Sequence, residues 1–242
     1  QTCALPILTY SCPNRFGRAK KYLQSKGFKL VDGNLTGKHD FYRSGSIKER
    51  AEELNALIRN TNIKCIMATI GGMNSNSILP YIDYESFKRN PKIIIGYSDV
   101  TAILLAIYAQ TGIITYYGPA LVASFGELPP FVDSTYKYFQ EITMYKTKIP
   151  YIFETPKYWT DEYINWEKQD RSKEKRKNQW ITVCEGIARG RVIGGNLNTM
   201  QGIWGSKYMP EINHGDILFI EDSLKDAATI ERSFSFLKLN GV

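Results

Sequence analysis

Histidine is scarce in this chain. Its 242 residues hold two, His39 in the polar stretch Gly37-Lys38-His39-Asp40 and His214 in a turn before Gly215. Both read as surface residues, so any reaction that needs an imidazole base starts with a difficulty. Cysteine is sparse too. Cys3, Cys12, Cys65 and Cys184 show no C-x-x-C spacing, and Cys65 lies inside an apolar run. A disulfide framework or a zinc site is therefore not expected, and a reducing cytoplasm is. No apolar run approaches the roughly 18–20 residues of a membrane span, so no membrane partner is expected, and no basic-then-apolar leader opens the sequence. No metal or other cofactor is expected.

The composition, 43% hydrophobic and 13% aromatic, is that of a globular protein long enough to bury a sizeable core. Net charge is +7. Much of it sits in one run, Lys168 to Lys177, with six basic and two acidic residues. That run reads as a solvated loop or as a lure for an anionic ligand. It lacks interleaved aromatic residues, so no nucleic-acid partner is expected.

From residue 14 onward the chain alternates helices and strands. Helical periodicity covers 14–26, with Gly27 placed after its end. Ser46-Ile47-Lys48-Glu49 is a capping box opening a helix through Asn60. Short strands are expected at 28–31, 63–70 and 113–117, with Ile93-Ile94-Ile95 as the end of another, and helices at 75–79, 84–89, 101–110 and 132–144. This alternation is the signature of an α/β layer with a mostly parallel sheet. Residues 145–190 are rich in Tyr, Trp and Lys and weakly periodic. The strand pattern returns at 191–193, followed by Gly194-Gly195-Asn196 as a turn that is either structural or brings backbone and amides against a ligand, and again at 216–220, ending on Glu221-Asp222. A last amphipathic helix is expected over 227–239. The opening Gln1-Thr-Cys-Ala-Leu-Pro-Ile7 reads as foreign to the natural chain, since it matches the translation of a sequencing-adaptor sequence. Three regions follow: an N-terminal α/β domain over 8–145, a linker or substrate loop over 146–189, and the start of a second domain over 190–242.

Ligands in parallel sheets gather at the carboxyl ends of strands. The polar candidates there are Gly72, Ser98, Asp99, Asn198, Glu221 and Asp222. Ser98 follows Ile93-Ile94-Ile95-Gly96-Tyr97 and precedes a helix. It is either the N-cap of that helix or a nucleophile beside N–H groups suited to an oxyanion. The pattern is not the G-x-S-x-G elbow, because position 100 is Val.

Several stretches carry a resemblance: Ala68-Thr-Ile-Gly-Gly72, Pro91 through Thr101, Tyr117-Gly-Pro-Ala120, Gly190 through Leu197 and Ile217 through Asp222. They resemble the LD-carboxypeptidase family of serine peptidases. Phe41 through Gly45, Ile164-Asn-Trp166, Asn198-Thr199 and Ile203-Trp-Gly205 resemble its microcin C immunity branch more narrowly. The resemblance implies a Rossmann-like N-terminal sheet with helices on both faces and an incomplete β-rich α/β C-terminal domain. It also implies a Ser–Glu–His triad. Ser98 matches the nucleophile and Glu221 the acid. The N–H groups of Gly72 and Asp99 match the oxyanion hole. Trp166 matches a residue that stacks on a nucleotide base, though on its own it reads as a packing residue. Asn198 and Lys225 match positions near the substrate.

The implied activity is hydrolysis of the amide between the amino-acid and nucleotide parts of a peptide–nucleotide antibiotic, giving self-immunity, with a homodimer expected. An LD-carboxypeptidase releasing D-alanine from murein tetrapeptides is the alternative. The family's histidine lies downstream of the Glu221 strand, beyond these residues, and neither His39 nor His214 matches it. The sequence as given is therefore expected to be a fragment holding nucleophile and acid without the base, with an inactive aminoacyl-nucleotide binder as the further alternative.

Overall fold

The computed structural model describes residues 2–5, 10–144, 150–223 and 225–242. Five strands, β1 (Thr2–Leu5), β2 (Leu30–Asp32), β3 (Cys65–Ala68), β4 (Ile93–Gly96) and β5 (Tyr116–Tyr117), form one sheet in the order β2-β1-β3-β4-β5. Every pairing in it is parallel. Neighbouring residues of a strand point to opposite faces, and the core divides accordingly. Ile66 and Ile94 face α2 (Ile47–Arg59), α3 (Tyr84–Arg89) and α4 (Thr101–Thr111). Met67 and Ile95 face α1 (Pro13–Ser25) and α5 (Phe131–Thr143). The expected parallel sheet with helices on both faces is the fold observed.

Local chemistry explains the boundaries. Ser46 accepts from the Glu49 N–H at 3.3 Å, and Glu49 accepts from the Ser46 N–H at 2.8 Å, closing the capping box that starts α2. At the other end of α2 the buried Lys92 ammonium donates to the carbonyls of Leu57, Asn60 and Ile63 at 3.1, 2.8 and 3.2 Å. A cation at a helix C-terminus satisfies carbonyls that have no partner within the helix.

The structure departs from two expectations, and a third lies outside the described residues. Thr2–Leu5, read as foreign residues, supply the strand between β2 and β3. The expected boundaries at residue 8 and at 145–146 fall outside the described residues. Gly194 and Gly195 form no turn; they lie inside β8 (Val192–Asn196). A Cβ on Gly194 would sit 1.6 Å from the Phe219 carbonyl oxygen, and one on Gly195 would sit 2.6 Å from Thr101 Cγ2. The glycine pair serves close packing, which the sequence signal for a turn resembles.

Between the two sheets, residues 150–190 are mostly irregular, with one short antiparallel pair, β6 (Tyr158–Trp159) and β7 (Arg176–Lys177). β8 pairs in parallel with β9 (Ile217–Glu221). The helices α6 (Leu197–Gln201) and α7 (Ala227–Leu239) follow these two strands. Ile193, Met200 and Ile203 join the core on the α4 face, so this second unit shares the first unit's interior. No described helix is long and apolar enough to cross a membrane.

Replacing Lys92 with methionine leaves three carbonyls without their cation. Urea unfolding is expected to show a loss of about 1–3 kcal/mol with an unchanged slope; an unchanged midpoint would remove Lys92 from this account.

Candidate active site

Ser98 has φ 59°, in the left-handed region that non-glycine residues rarely occupy. Strain of this kind costs on the order of 1–3 kcal/mol, and three neighbours impose it. The Ser98 N–H donates to the Tyr117 hydroxyl at 2.9 Å. The Ser98 carbonyl accepts from Thr101 Oγ1 at 2.6 Å. Gly71 lies against the side chain, where a Cβ would stand 2.7 Å from Ser98 Cβ and 2.8 Å from Oγ. Ser98 does not act as a side-chain cap: the N-cap of α4 is Val100, with no side-chain hydrogen bond. The serine is aimed into the space above the strand ends.

Asp99 is buried beside it and holds the neighbouring loop. Its carboxylate accepts from the Ser75 N–H at 2.9 Å and from Ser75 Oγ at 2.7 Å. Arg50 ties the same loop by donating to Asn74 Oδ1 at 3.0 Å and Ser77 Oγ at 2.9 Å. Residues 74–77 are thereby held alongside the serine.

A cavity of about 310 Å³ opens over Ser98. Gly72, Asp99, Asn198 and Lys225 line it with Ser98, as do Asn196 and Asp222. Five of the seven expected site residues are thus brought together.

Glu221 is not in that lining. Its Oε1 accepts from the Tyr117 hydroxyl and, at 3.1 Å, from Asn196 Nδ2. It reaches Ser98 through Tyr117, and it faces a second cavity of about 640 Å³ with Tyr97, Phe139 and Phe153. Burial, and then the bond to Glu221, push the Tyr117 hydroxyl well above its usual pKa. It therefore stays protonated and donates to the carboxylate.

Trp166 is not in the Ser98 cavity either. It is half-buried, with the Arg15 guanidinium 4.7 Å from its ring centroid. Of the basic run, Lys173 pairs with Glu127, Arg171 with Glu162 and Arg176 with Asp161. Internal pairing of this kind fits a solvated loop better than a lure. His39 stacks on Tyr10 with ring centroids 5.2 Å apart, and His214 is exposed. Neither lines the Ser98 cavity.

Sequence reasoning gave Gly71, Thr101 and Tyr117 no role of their own, and left Asn196 as either a turn residue or one brought against a ligand; it lines the Ser98 cavity. All four lie in stretches singled out above, yet their roles are set by partners outside their own stretch. Tyr117 bonds residues 19 and 104 positions away.

The site thus holds a strained serine at a strand end and a carboxylate one tyrosine away. The profile of the LD-carboxypeptidase N-terminal domain matches residues 3–118, and that of the C-terminal domain matches residues 189–242. The chain belongs to the LD-carboxypeptidase family. It is 60% identical over 236 residues to the microcin C7 self-immunity protein MccF of Escherichia coli, covering 97% of this chain and 69% of that protein. It is 62% identical over 234 residues to a Vibrio cholerae protein whose name assigns it to the carboxypeptidases, covering 97% of this chain and 70% of that one. The structure of MccF in complex with aspartyl sulfamoyl adenosine matches with a TM-score of 0.94 at 57% identity, covering 99% of this chain and 73% of that chain.

Tyr117→Phe removes both the acceptor of the Ser98 N–H and the donor to Glu221. The expected loss is about 1–3 kcal/mol of stability in urea unfolding; a neutral substitution would show that the tyrosine does not hold the turn.

Proposed function

We propose that the chain is a serine hydrolase that cleaves the amide joining the amino-acid and nucleotide parts of microcin C-type antibiotics, and that it thereby confers immunity. The observation that carries this reading is the cavity shared by Ser98, Gly72, Asp99, Asn198 and Lys225. The similarity to MccF, solved with an aminoacyl sulfamoyl nucleoside, supports the substrate class. The reading places the protein in the cytoplasm as a homodimer.

Ser98 Oγ adds to the amide carbonyl carbon and gives its proton to a base. The oxyanion takes the N–H groups of Gly72 and Asp99. The N–H of Ser98 itself is engaged by Tyr117 and is left out. The C–N bond breaks, the nitrogen leaves protonated, and an ester remains on Ser98. Water then hydrolyses that ester and releases the amino acid. The Lys225 ammonium and the Asn198 amide face the cavity and suit an anionic or carbonyl-bearing aminoacyl group. Glu221 orients the base, and Trp166 stacks on the nucleobase, a contact that contributes about 1–3 kcal/mol.

The base in this reading is the family's histidine, and neither His39 nor His214 fills its place. Among the described residues neither histidine lines the Ser98 cavity, and that favours a second reading, a domain that binds aminoacyl nucleotides without turnover.

Both readings are separated by incubating an aminoacyl nucleotide and a murein tetrapeptide with two proteins: this chain, and this chain joined to the C-terminal segment of the E. coli relative. The joined protein is expected to release the amino acid from the nucleotide, several orders of magnitude faster than the chain alone, and Ser98→Ala to abolish release. D-alanine from the tetrapeptide as the sole product would replace the substrate. Binding without turnover by both proteins would leave the non-catalytic reading.

A further inference from the structure

Arg15 is the largest fully buried side chain of the described residues, 1% exposed, and the proposed reaction does not use it. Burying a guanidinium is costly unless every donor finds a partner. Its Nε donates to the Val122 carbonyl at 2.9 Å, and its Nη2 to the Ala123 carbonyl at 2.8 Å and to Glu127 at 3.0 Å. Its Nη1 donates to Gln169, a buried amide that donates in turn to Glu127. The face of the guanidinium covers the Trp166 ring. One side chain of α1 thus joins the turn at 121–127 to the segment carrying Trp166.

The neighbours repeat the connection. Arg18 donates to the Gly126 carbonyl at 2.7 Å and to the Gln169 carbonyl at 3.3 Å. The Asn14 N–H, at the start of α1, donates to Glu167 at 2.9 Å. Burial alone would raise the Glu127 carboxyl. The Leu128 N–H, Gln169 and Arg15 outweigh that and hold it below the usual glutamate range, so Arg15 keeps an ionised partner. Residues 165–169 have no strand or helix of their own to fix them. A methionine would fill the Arg15 volume without a buried charge, but it could neither bridge four acceptors nor hold the indole by a cation–π contact.

We propose that Arg15 is a positioning residue for nucleotide recognition: it fixes residues 165–169 and presents the indole of Trp166 as the stacking face for the nucleobase of an aminoacyl nucleotide. This rests on the substrate class proposed above.

The test measures binding by calorimetry, so it needs no turnover. Aspartyl sulfamoyl adenosine and the same compound lacking its base, aspartyl sulfamoyl ribose, are titrated into the parent chain, Arg15→Lys, Arg15→Met and Trp166→Ala. The parent is expected to favour the adenosine compound. Arg15→Met is expected to weaken that compound about tenfold or more while leaving the base-less compound within twofold. Adding Trp166→Ala to Arg15→Met is expected to cost little further. Arg15→Lys keeps the cation but loses the fork, so an intermediate loss is expected; it also serves if Arg15→Met does not fold. Equal weakening of both compounds would reduce Arg15 to a clamp for the fold and overturn the proposal, as would no weakening of either. A parent that binds both compounds equally would instead overturn the nucleotide reading, and this proposal with it.

Discussion

The site depends on one backbone turn. Ser98 leaves β4 in a left-handed conformation, and its surroundings hold it there. Gly96 allows the exit, since a Cβ there would meet Ala68 Cβ and Val100 Cγ1, each at 2.9 Å. Gly71, at the end of the adjacent strand, has no side chain because the serine needs that space. Tyr117, from the strand on the other side, takes the N–H that the turn would otherwise leave unpaired. The strain is held by three parallel strands at once. A sheet edge or a flexible loop would relax it.

The second unit is attached through the same turn. Thr101 Oγ1 donates to the Ser98 carbonyl and accepts from the Asn196 N–H at 2.9 Å. Asn196 in turn donates to Glu221 and, at 3.4 Å, to Asp222. Gly195 lets β8 approach Thr101 closely enough for this bonding. The carboxylates at the end of β9 are therefore registered against the serine by hydrogen bonds through Thr101, Asn196 and Tyr117. The two units share an interior, so a shift of β8 would move both the acid and the turn.

Much of the fold was legible because the signals were local. The run Ile93-Ile94-Ile95 marks a strand buried on both faces, and Ser46 with Glu49 marks a helix start. The candidates at strand ends were legible by the same route, and five of the expected site residues share one cavity. What escaped was non-local. Gly194-Gly195 looked like a turn, because two adjacent glycines usually are one, yet Phe219 and Thr101 demanded them. Tyr117 and Arg15 carried no visible role, since their partners lie some twenty to more than one hundred and fifty positions away in sequence. Trp166 was found by resemblance, and its contact with Arg15 was not.

The strain at residue 98 is the claim on which the rest stands, and stability measures it without reference to any substrate. In urea unfolding, Ser98→Gly and Ser98→Ala both lose the hydroxyl, but only glycine adopts the left-handed conformation freely. The account predicts that Ser98→Gly is more stable than Ser98→Ala by about 1 kcal/mol. An alanine variant as stable as the glycine variant, or more so, would contradict it.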